Sequence, residues 1–481
     1  MKKATLLGGL VKTAAVVAML IPAQRVNAQE DVDYTTGVFI INEDAYGHGN
    51  STVNYLLPDA SDENYWHYRV IQANNEDKQL GCTAQSGEIW DGKFYIISKQ
   101  AQDPGASIEG GRITVVDAKT MKVEYQIADI TTEVANVDGR SFIGVTEGKG
   151  YVSTSKGVWV LDFATQSITG CIEGTAEGAE SGSMVMAADK VFVAHFGLGL
   201  LVIDTKEDKL VDTISCDAIK EQINVSDPSI ECATIGSVVL AKDGSLWCSI
   251  AGDAAGTALP YLLKVNPETL ETELFNIPEG IYAPANSWYA WTPDAFCASA
   301  QNNTLYWKGG ASSWFAGYEV FKYDIDKNEF KRIINLTEDK LSIYGCSMRV
   351  HPVTDELYMS LNPGYAPPFS VRRYTSEGEL IKEYPMIEHY WFPSLPVFAQ
   401  GGRTSGVEKI VVEAINNAEI LVQSGVITIL NGEGQLCEVY TLAGSLIGSS
   451  AVTADYFTMP TEYTHGVYIV KVGTLAQKVC L

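Results

Sequence analysis

Beyond its N-terminus the sequence has no long apolar run, no paired-cysteine spacing, few bases and almost no helical periodicity, and each absence excludes something. No stretch after residue 28 approaches the roughly 20 apolar residues that a transmembrane helix needs. The 9 cysteines are scattered, with no CxxC and no ligand-spaced Cys/His pair, so a structural zinc site is not expected. Cys82, Cys232, Cys297 and Cys346 each open a similar apolar segment, which suits small buried hydrophobes better than disulfide partners. Lys and Arg number 34 against 59 Asp and Glu, a formal charge of −25 that argues against nucleic acid and anionic membrane as partners. Also missing are HExxH, GxSxG, a Gly-rich phosphate loop and an EF-hand loop, so no recognised catalytic or metal spacing stands out.

What is present begins with a leader. Lys2 and Lys3 precede a run that becomes apolar from Ala14 to Pro22, and Val26-Asn27-Ala28 supplies small residues where a signal peptidase cuts. Residues 1–28 are therefore expected to be absent from the mature protein. Their bases are Lys2, Lys3, Lys12 and Arg25 with no acid, so the rest is more acidic still, 30 bases against 59 acids. No cysteine stands at the cleavage point, so the usual lipoprotein anchor is not expected.

A repeat then organises most of the chain: a strand ending in an acid, a turn and a returning strand. It reads Ile113-Thr114-Val115-Val116-Asp117, then Val158-Trp159-Val160-Leu161-Asp162, then Leu200-Leu201-Val202-Ile203-Asp204. Leu262-Leu263-Lys264-Val265-Asn266, Val320-Phe321-Lys322-Tyr323-Asp324 and the degenerate Val371-Arg372-Arg373-Tyr374-Thr375 continue it. The Asp or Asn side chain can bond its own turn backbone. A second hairpin lies about 20 residues upstream of each copy, as at Trp90-Asp91-Gly92-Lys93, so each unit offers four strands at a propeller period.

A partial copy precedes these six, with strands expected at Gly37–Ile41, Ser51–Leu57 and Tyr68–Gln72. Its missing innermost strand would come from Pro393–Ala399, closing the ring and removing exposed edges. The fold class is thus all-β: a seven-bladed β-propeller over 29–400, a polar linker at 401–406, and a small C-terminal β-sandwich over 407–481. Strands in that last part are expected at Ile410–Val412, Val426–Leu430, Cys437–Leu442 and Val467–Val472.

The tail carries a resemblance. Val439-Tyr440-Thr441-Leu442-Ala443-Gly444-Ser445-Leu446, then Gly466-Val467-Tyr468-Ile469-Val470-Lys471-Val472, and the terminal Lys478-Val479-Cys480-Leu481 resemble the C-terminal sorting domain of the type IX secretion system. That resemblance implies export through the periplasm of a Gram-negative bacterium to the cell surface or the medium.

In a propeller, the loops joining second and third strands share a face with those leading into each innermost strand. Here Asn42–Asn50, Gln100–Gly111, Ala251–Pro260, Lys308–Gly317 and Asn362–Phe369 are the long second-to-third connections, which marks that face as the working one. Its aromatics suit a broad, flat ligand. The candidate ligand-binding residues are Tyr46, His48 and Asn50 in the first loop, Lys99 and Gln100 in the next, and Arg140, His195 and Phe196 beyond it. Trp288, Tyr289 and Trp291, with Trp314, Tyr344, Tyr365 and Trp391, complete the set. No catalytic residue, cofactor or metal ligand is assigned.

Asn42-Glu43-Asp44-Ala45-Tyr46-Gly47-His48-Gly49-Asn50, with Gly81-Cys82-Thr83 and Ser98-Lys99-Gln100, resembles secreted propellers of gut bacteria, often labelled surface-layer or YVTN-like. One branch of these captures cobalamin and passes it to an outer-membrane transporter, so the resemblance implies a corrinoid or similar flat ligand and such a transporter as partner. The chain departs from that branch in lacking a lipidation cysteine and in adding the sorting domain. A glycan, peptide or protein partner on the same face remains open, as does a lyase or hydrolase built on His48, His195 or His389 with nearby carboxylates.

Overall fold

A computed structural model describes residues 32–404 apart from 61–63, 178–179, 285, 289–290, 312–315 and 365, and residues 418–480 apart from 424–425, 433–434, 442–445, 455, 460–465 and 474. The leader, the expected strand at Ile410–Val412, and Tyr289, Trp314 and Tyr365 lie outside the described residues.

From 38 to 398 the chain is an array of antiparallel sheets, seven among the described residues, six of four strands and one of five, in which Ile343–Tyr344 also pairs with Ala316–Asp324. Sheet I joins Pro393–Phe398 to Val38–Asn42, Thr52–Leu56 and Trp66–His67. Sheet II runs through Cys82–Trp90, Lys93–Gln100, Ile113–Asp117 and Val123–Ile127. Sheets III, IV and V begin with Gly139–Thr146, Ser181–Ala187 and Thr234–Leu240, and sheets VI and VII with Cys297–Ala298 and Met348–Val350. In each, strand follows strand in sequence order, except that sheet I takes its first strand from the far end of the region. These first strands pack beside one another in a cycle, I against II and onward to VII against I.

Burial on both sheet faces explains why the strands read as continuous apolar runs. Leu200 and Val202 join the core between sheets IV and V, whereas Leu201 and Ile203 of the same strand join that between III and IV. Trp247 faces sheet VI beside Leu305 and Trp307, while Leu246 and Cys248 face sheet IV. Each such side chain contributes roughly 1.5–3 kcal/mol of burial, which removes any need for cross-links.

The acid-ended turns form as their side chains dictate. Asp117 Oδ1 accepts from Lys119 N at 3.0 Å and Thr120 N at 2.8 Å, and Asp204 Oδ1 repeats this with Lys206 N and Glu207 N. Asn266 and Asp324 hold equivalent turns.

Two local expectations are corrected. Tyr68–Gln72 is not a strand: sheet I ends with the two-residue Trp66–His67, and Val70–Asn74 is a short helix. Asn74 and Asn75 donate to the carbonyls of Val70 and Ile71, and that back-bonding favours the helical turn over a ladder. Cys232 is exposed, at the end of the loop that precedes sheet V, whereas Cys82, Cys297 and Cys346 are buried. A second helix, Cys216–Asn224, is capped by Ser215, whose hydroxyl accepts from Ala218 N, and buries Ile219 and Ile223 one turn apart.

The described part of the C-terminal segment forms two antiparallel sheets. One joins Glu419–Gln423, Val426–Leu430 and Tyr456–Thr458; the other orders Leu446–Ala451, Leu436–Thr441, Val467–Val472 and Leu475–Cys480. Ile427, Ile429, Val439, Val470 and Val472 share one buried cluster between them.

Candidate functional site

The long-loop face is built around the segment after the first strand of the region. Glu43 N donates to Phe392 O and Asp44 N to Trp391 O, both at 2.9 Å, so this segment continues the pairing of sheet I outward. It then turns through two left-handed residues, Asp44 at φ 58° and Ala45 at φ 48°. Phe392 at φ 43° is bulky for that region as well, and such strain persists only where surrounding contacts fix it.

Those contacts are extensive. Buried Asp103 accepts from Gly47 N at 2.8 Å and Gly105 N at 2.7 Å, and its own N–H donates to Asn50 Oδ1 at 2.8 Å. Asn50 Nδ2 donates in turn to Ile108 O and Gln79 Oε1, lacing the 42–52 loop to the 100–113 loop. On the other side His389 Nε2 lies 2.7 Å from Asp44 Oδ1, Arg69 stands 3.0 Å from the same nitrogen, and Thr52 donates its hydroxyl to Asp44 Oδ2. Burial pushes the Asp44 carboxyl above its ordinary range, with the His389 contact as the main offset.

Above this base sits an exposed aromatic platform. The rings of His48 and Tyr390 stack at 4.8 Å and 25°, Tyr390 is 44% exposed, and Tyr46 is 64% exposed nearby in sequence. Trp391, the next residue, is by contrast buried, between Tyr68 at 5.3 Å and His389 at 4.3 Å, with its indole N–H donated to Ile387 O. It offers no surface of its own.

A second group lies toward the axis. Buried Glu43 accepts from Gln85 Nε2 and is hydrogen-bonded to Tyr344; burial raises its pKa and the charge of Lys99 offsets this. Lys99 is lowered to about 8 by burial. Arg140 pairs with Glu180 at 2.9 Å and lies over the Trp291 ring at 5.6 Å. Gln100 pairs in register with Cys82 at the sheet II edge of this group. A cavity of about 350 Å³ follows the first strands, and a second of about 300 Å³ adjoins it through Ser183, Met184, Trp291, Pro293 and Arg349.

Phe196 and Trp288 form a third, separate group. Phe196 packs on Trp288 at 5.9 Å, and Trp288 is buried and donates to Ile235 O. His195 is fully buried, its Nδ1 accepting from Gly197 N and Leu198 N at 3.1 Å each. Burial holds its pKa at about 4, so the ring is neutral and closes a turn. No cluster of three or more His, Cys, Asp or Glu with metal-holding geometry occurs among the described residues.

The candidate residues thus divide. Tyr46 and His48 are exposed on the long-loop face, whereas Asn50 and Trp391 are buried in the segments that hold it; Lys99, Arg140, Trp291 and Tyr344 approach the axis; Phe196 and Trp288 pack between sheets IV and V, and His195 faces the sheet III side. Sequence reasoning passed over Asp103, Arg69, Lys308 and Arg349. A base interrupting the apolar Met348-Arg349-Val350 run was the available signal for the last.

Sheet order and packing define a propeller fold with an aromatic, hydrogen-bonded loop face. The chain belongs to the DUF5074 family, a domain of unknown function, whose profile matches residues 36–399. Among solved structures it is similar to a quinonprotein alcohol dehydrogenase-like protein from Bacteroides thetaiotaomicron, with TM-score 0.55, 18% identity, and coverage of 77% of this chain and 79% of that one. It also matches the extracellular domain of a putative hybrid two-component system of the same species, with TM-score 0.42, 10% identity, and coverage of 83% and 56% respectively. No curated protein matches the chain.

Proposed function

We propose that the seven sheets are the blades of a seven-bladed propeller that binds a broad, flat ligand on its long-loop face. The stacked, exposed His48–Tyr390 pair on a buried hydrogen-bonded base is the observation that carries this reading. Exposed rings held rigidly give contact area at low entropic cost, and both components of the stack have a polar edge to orient a ligand. A corrinoid or another tetrapyrrole is the ligand class that this surface suits best. The leader over 1–28, the sandwich over 407–481 as a sorting domain, delivery to the cell surface and hand-off to an outer-membrane transporter complete the proposal. Titration of the mature full-length chain with cobinamide, cobalamin, haem and neutral oligosaccharides tests it. The reading expects saturable binding of a tetrapyrrole that His48→Ala and Tyr390→Ala each weaken; binding of oligosaccharides alone, or of none, overturns it.

A second reading has one specific support, the Asp44–His389 contact at 2.7 Å, with His389 32% exposed and its carboxylate partner 4% exposed. A buried acid orienting a half-exposed imidazole is a general-base arrangement, and it would serve a lyase or hydrolase. Loss of turnover with retained binding in His389→Gln separates this from ligand capture.

A further inference from the structure

A cation at the axis, Arg349, makes no ion pair among the described residues, and this points to a ligand distinct from the one proposed for the face. Six arginines, Arg112, Arg140, Arg332, Arg372, Arg373 and Arg403, each hold a carboxylate within hydrogen-bond distance. That is the expected outcome in a chain with 59 acids and 34 bases. Arg69, which stands against His389, departs from it, and so does Arg349 at the axis. Its Nη1 donates to the carbonyls of Cys346 at 3.2 Å and Met348 at 2.8 Å, and it makes no ion pair among the described residues. A guanidinium has five donors in a rigid fork, so most of its donor capacity is left for something else. Arg349 lines both axial cavities.

The surroundings favour negative charge and an apolar body together. Lys308 is buried close by, donates to Gly345 O at 2.6 Å, and feels the attraction of Asp294 as well as the weaker repulsion of Arg349. Two acids line the cavities and both are engaged: Asp294 by the hydroxyls of Ser237 at 2.7 Å and Ser249 at 3.2 Å and by Phe296 N, and Glu88 by Arg403. Trp291 is 3% exposed, lines both cavities, and its indole N–H has no acceptor among the described residues, so a second donor faces the same space. Phe142, Met184 and Leu395 supply apolar wall, in a space of about 350 Å³ that admits a small molecule but not a macrocycle.

We propose that the axial cavity binds a small carboxylic acid with an apolar body, its carboxylate held by the Arg349 fork. The proposal does not depend on the face reading, because none of the platform rings contributes to it. The test is calorimetric titration of the mature full-length chain with benzoate and with benzamide, its neutral isostere, beside an inorganic phosphate control. Benzoate is expected to saturate and to bind about tenfold or more tightly than benzamide, since a charge-assisted pair inside the cavity is at stake. Arg349→Gln should weaken benzoate by about the same factor and leave benzamide unchanged, whereas Tyr390→Ala should alter neither. Equal binding of benzoate and benzamide, tighter binding of phosphate than of benzoate, or no saturation by about 10 mM would each overturn it. The isostere comparison needs no variant, so a folding defect in Arg349→Gln cannot rescue or sink the result.

Discussion

Asp44 and His389 are 345 residues apart in sequence and 2.7 Å apart in space, joining the first long loop to the segment that precedes the ring-closing strand Pro393–Phe398. Because Asp44 also accepts the Thr52 hydroxyl, one buried carboxylate fixes three pieces of chain. Asp44→Asn keeps a side chain that tolerates the left-handed backbone but removes the charge. It is expected to cost about 1–3 kcal/mol in urea unfolding, the usual cost of breaking a buried charged hydrogen bond. An unchanged midpoint would show that the contact anchors nothing.

Two buried histidines predict the acid limb of stability. His195 and His351 each use Nδ1 to accept two backbone N–H groups, which a protonated ring cannot do, and burial lowers both from 6.5 to about 4. The unfolded chain therefore takes up protons that the folded one refuses. The contribution is fully present above pH 6.5 and is lost as pH falls from there toward 4, by an amount of the order of 3 kcal/mol per histidine. Chemical unfolding of wild type and His195→Asn across this window checks it, and the variant should have the shallower pH dependence. Parallel curves would contradict the assignment.

Packing between sheets IV and V predicts intolerance at Gly182. A Cβ there would meet the Trp291 ring at 2.6 Å and the Trp288 ring at 2.7 Å, distances that force one indole to move. Gly182→Ala is expected to destabilise by about 1–3 kcal/mol through overpacking, read as a lowered melting temperature with altered tryptophan fluorescence.

Thiol accessibility gives an independent map. Burial pushes Cys82 up to about 12 and Cys297 up to about 11, whereas Cys171 and Cys232 are exposed. Brief alkylation of the native protein at neutral pH should label Cys171 and Cys232 and spare Cys82, Cys248, Cys297 and Cys346, because only an accessible thiolate reacts. Labelling of Cys248 before Cys232 would overturn the sheet packing described.

Much of the array was legible because its signals are local. A strand ending in Asp117, Asp162 or Asp204 announces itself by alternation and by a side chain that bonds its own turn, and those strands stand where the pattern put them. The Val70–Asn74 helix was not legible, since Tyr68-Arg69-Val70-Ile71-Gln72 is as apolar as a strand and the deciding bonds come from Asn74 and Asn75 beyond it. Trp288 and Trp391 illustrate the limit for sites. An aromatic on a loop reads alike whether it faces solvent or plugs a gap, and only packing separates these two from Tyr46 and Tyr390. Arg349 was missed for a similar reason, because a partner's absence is visible only once the surrounding acids are placed.

The central claim is that the His48–Tyr390 platform holds a flat ligand, and thermal unfolding of the mature full-length chain with a tetrapyrrole panel tests it most directly. A specific ligand at 100 times its dissociation constant adds about 2.7 kcal/mol to the folded state. The account predicts a saturable rise in melting temperature for one of the panel in wild type, and a shift reduced by most of its size in Tyr390→Ala. No shift for any tetrapyrrole, or an equal shift in wild type and Tyr390→Ala, would contradict it.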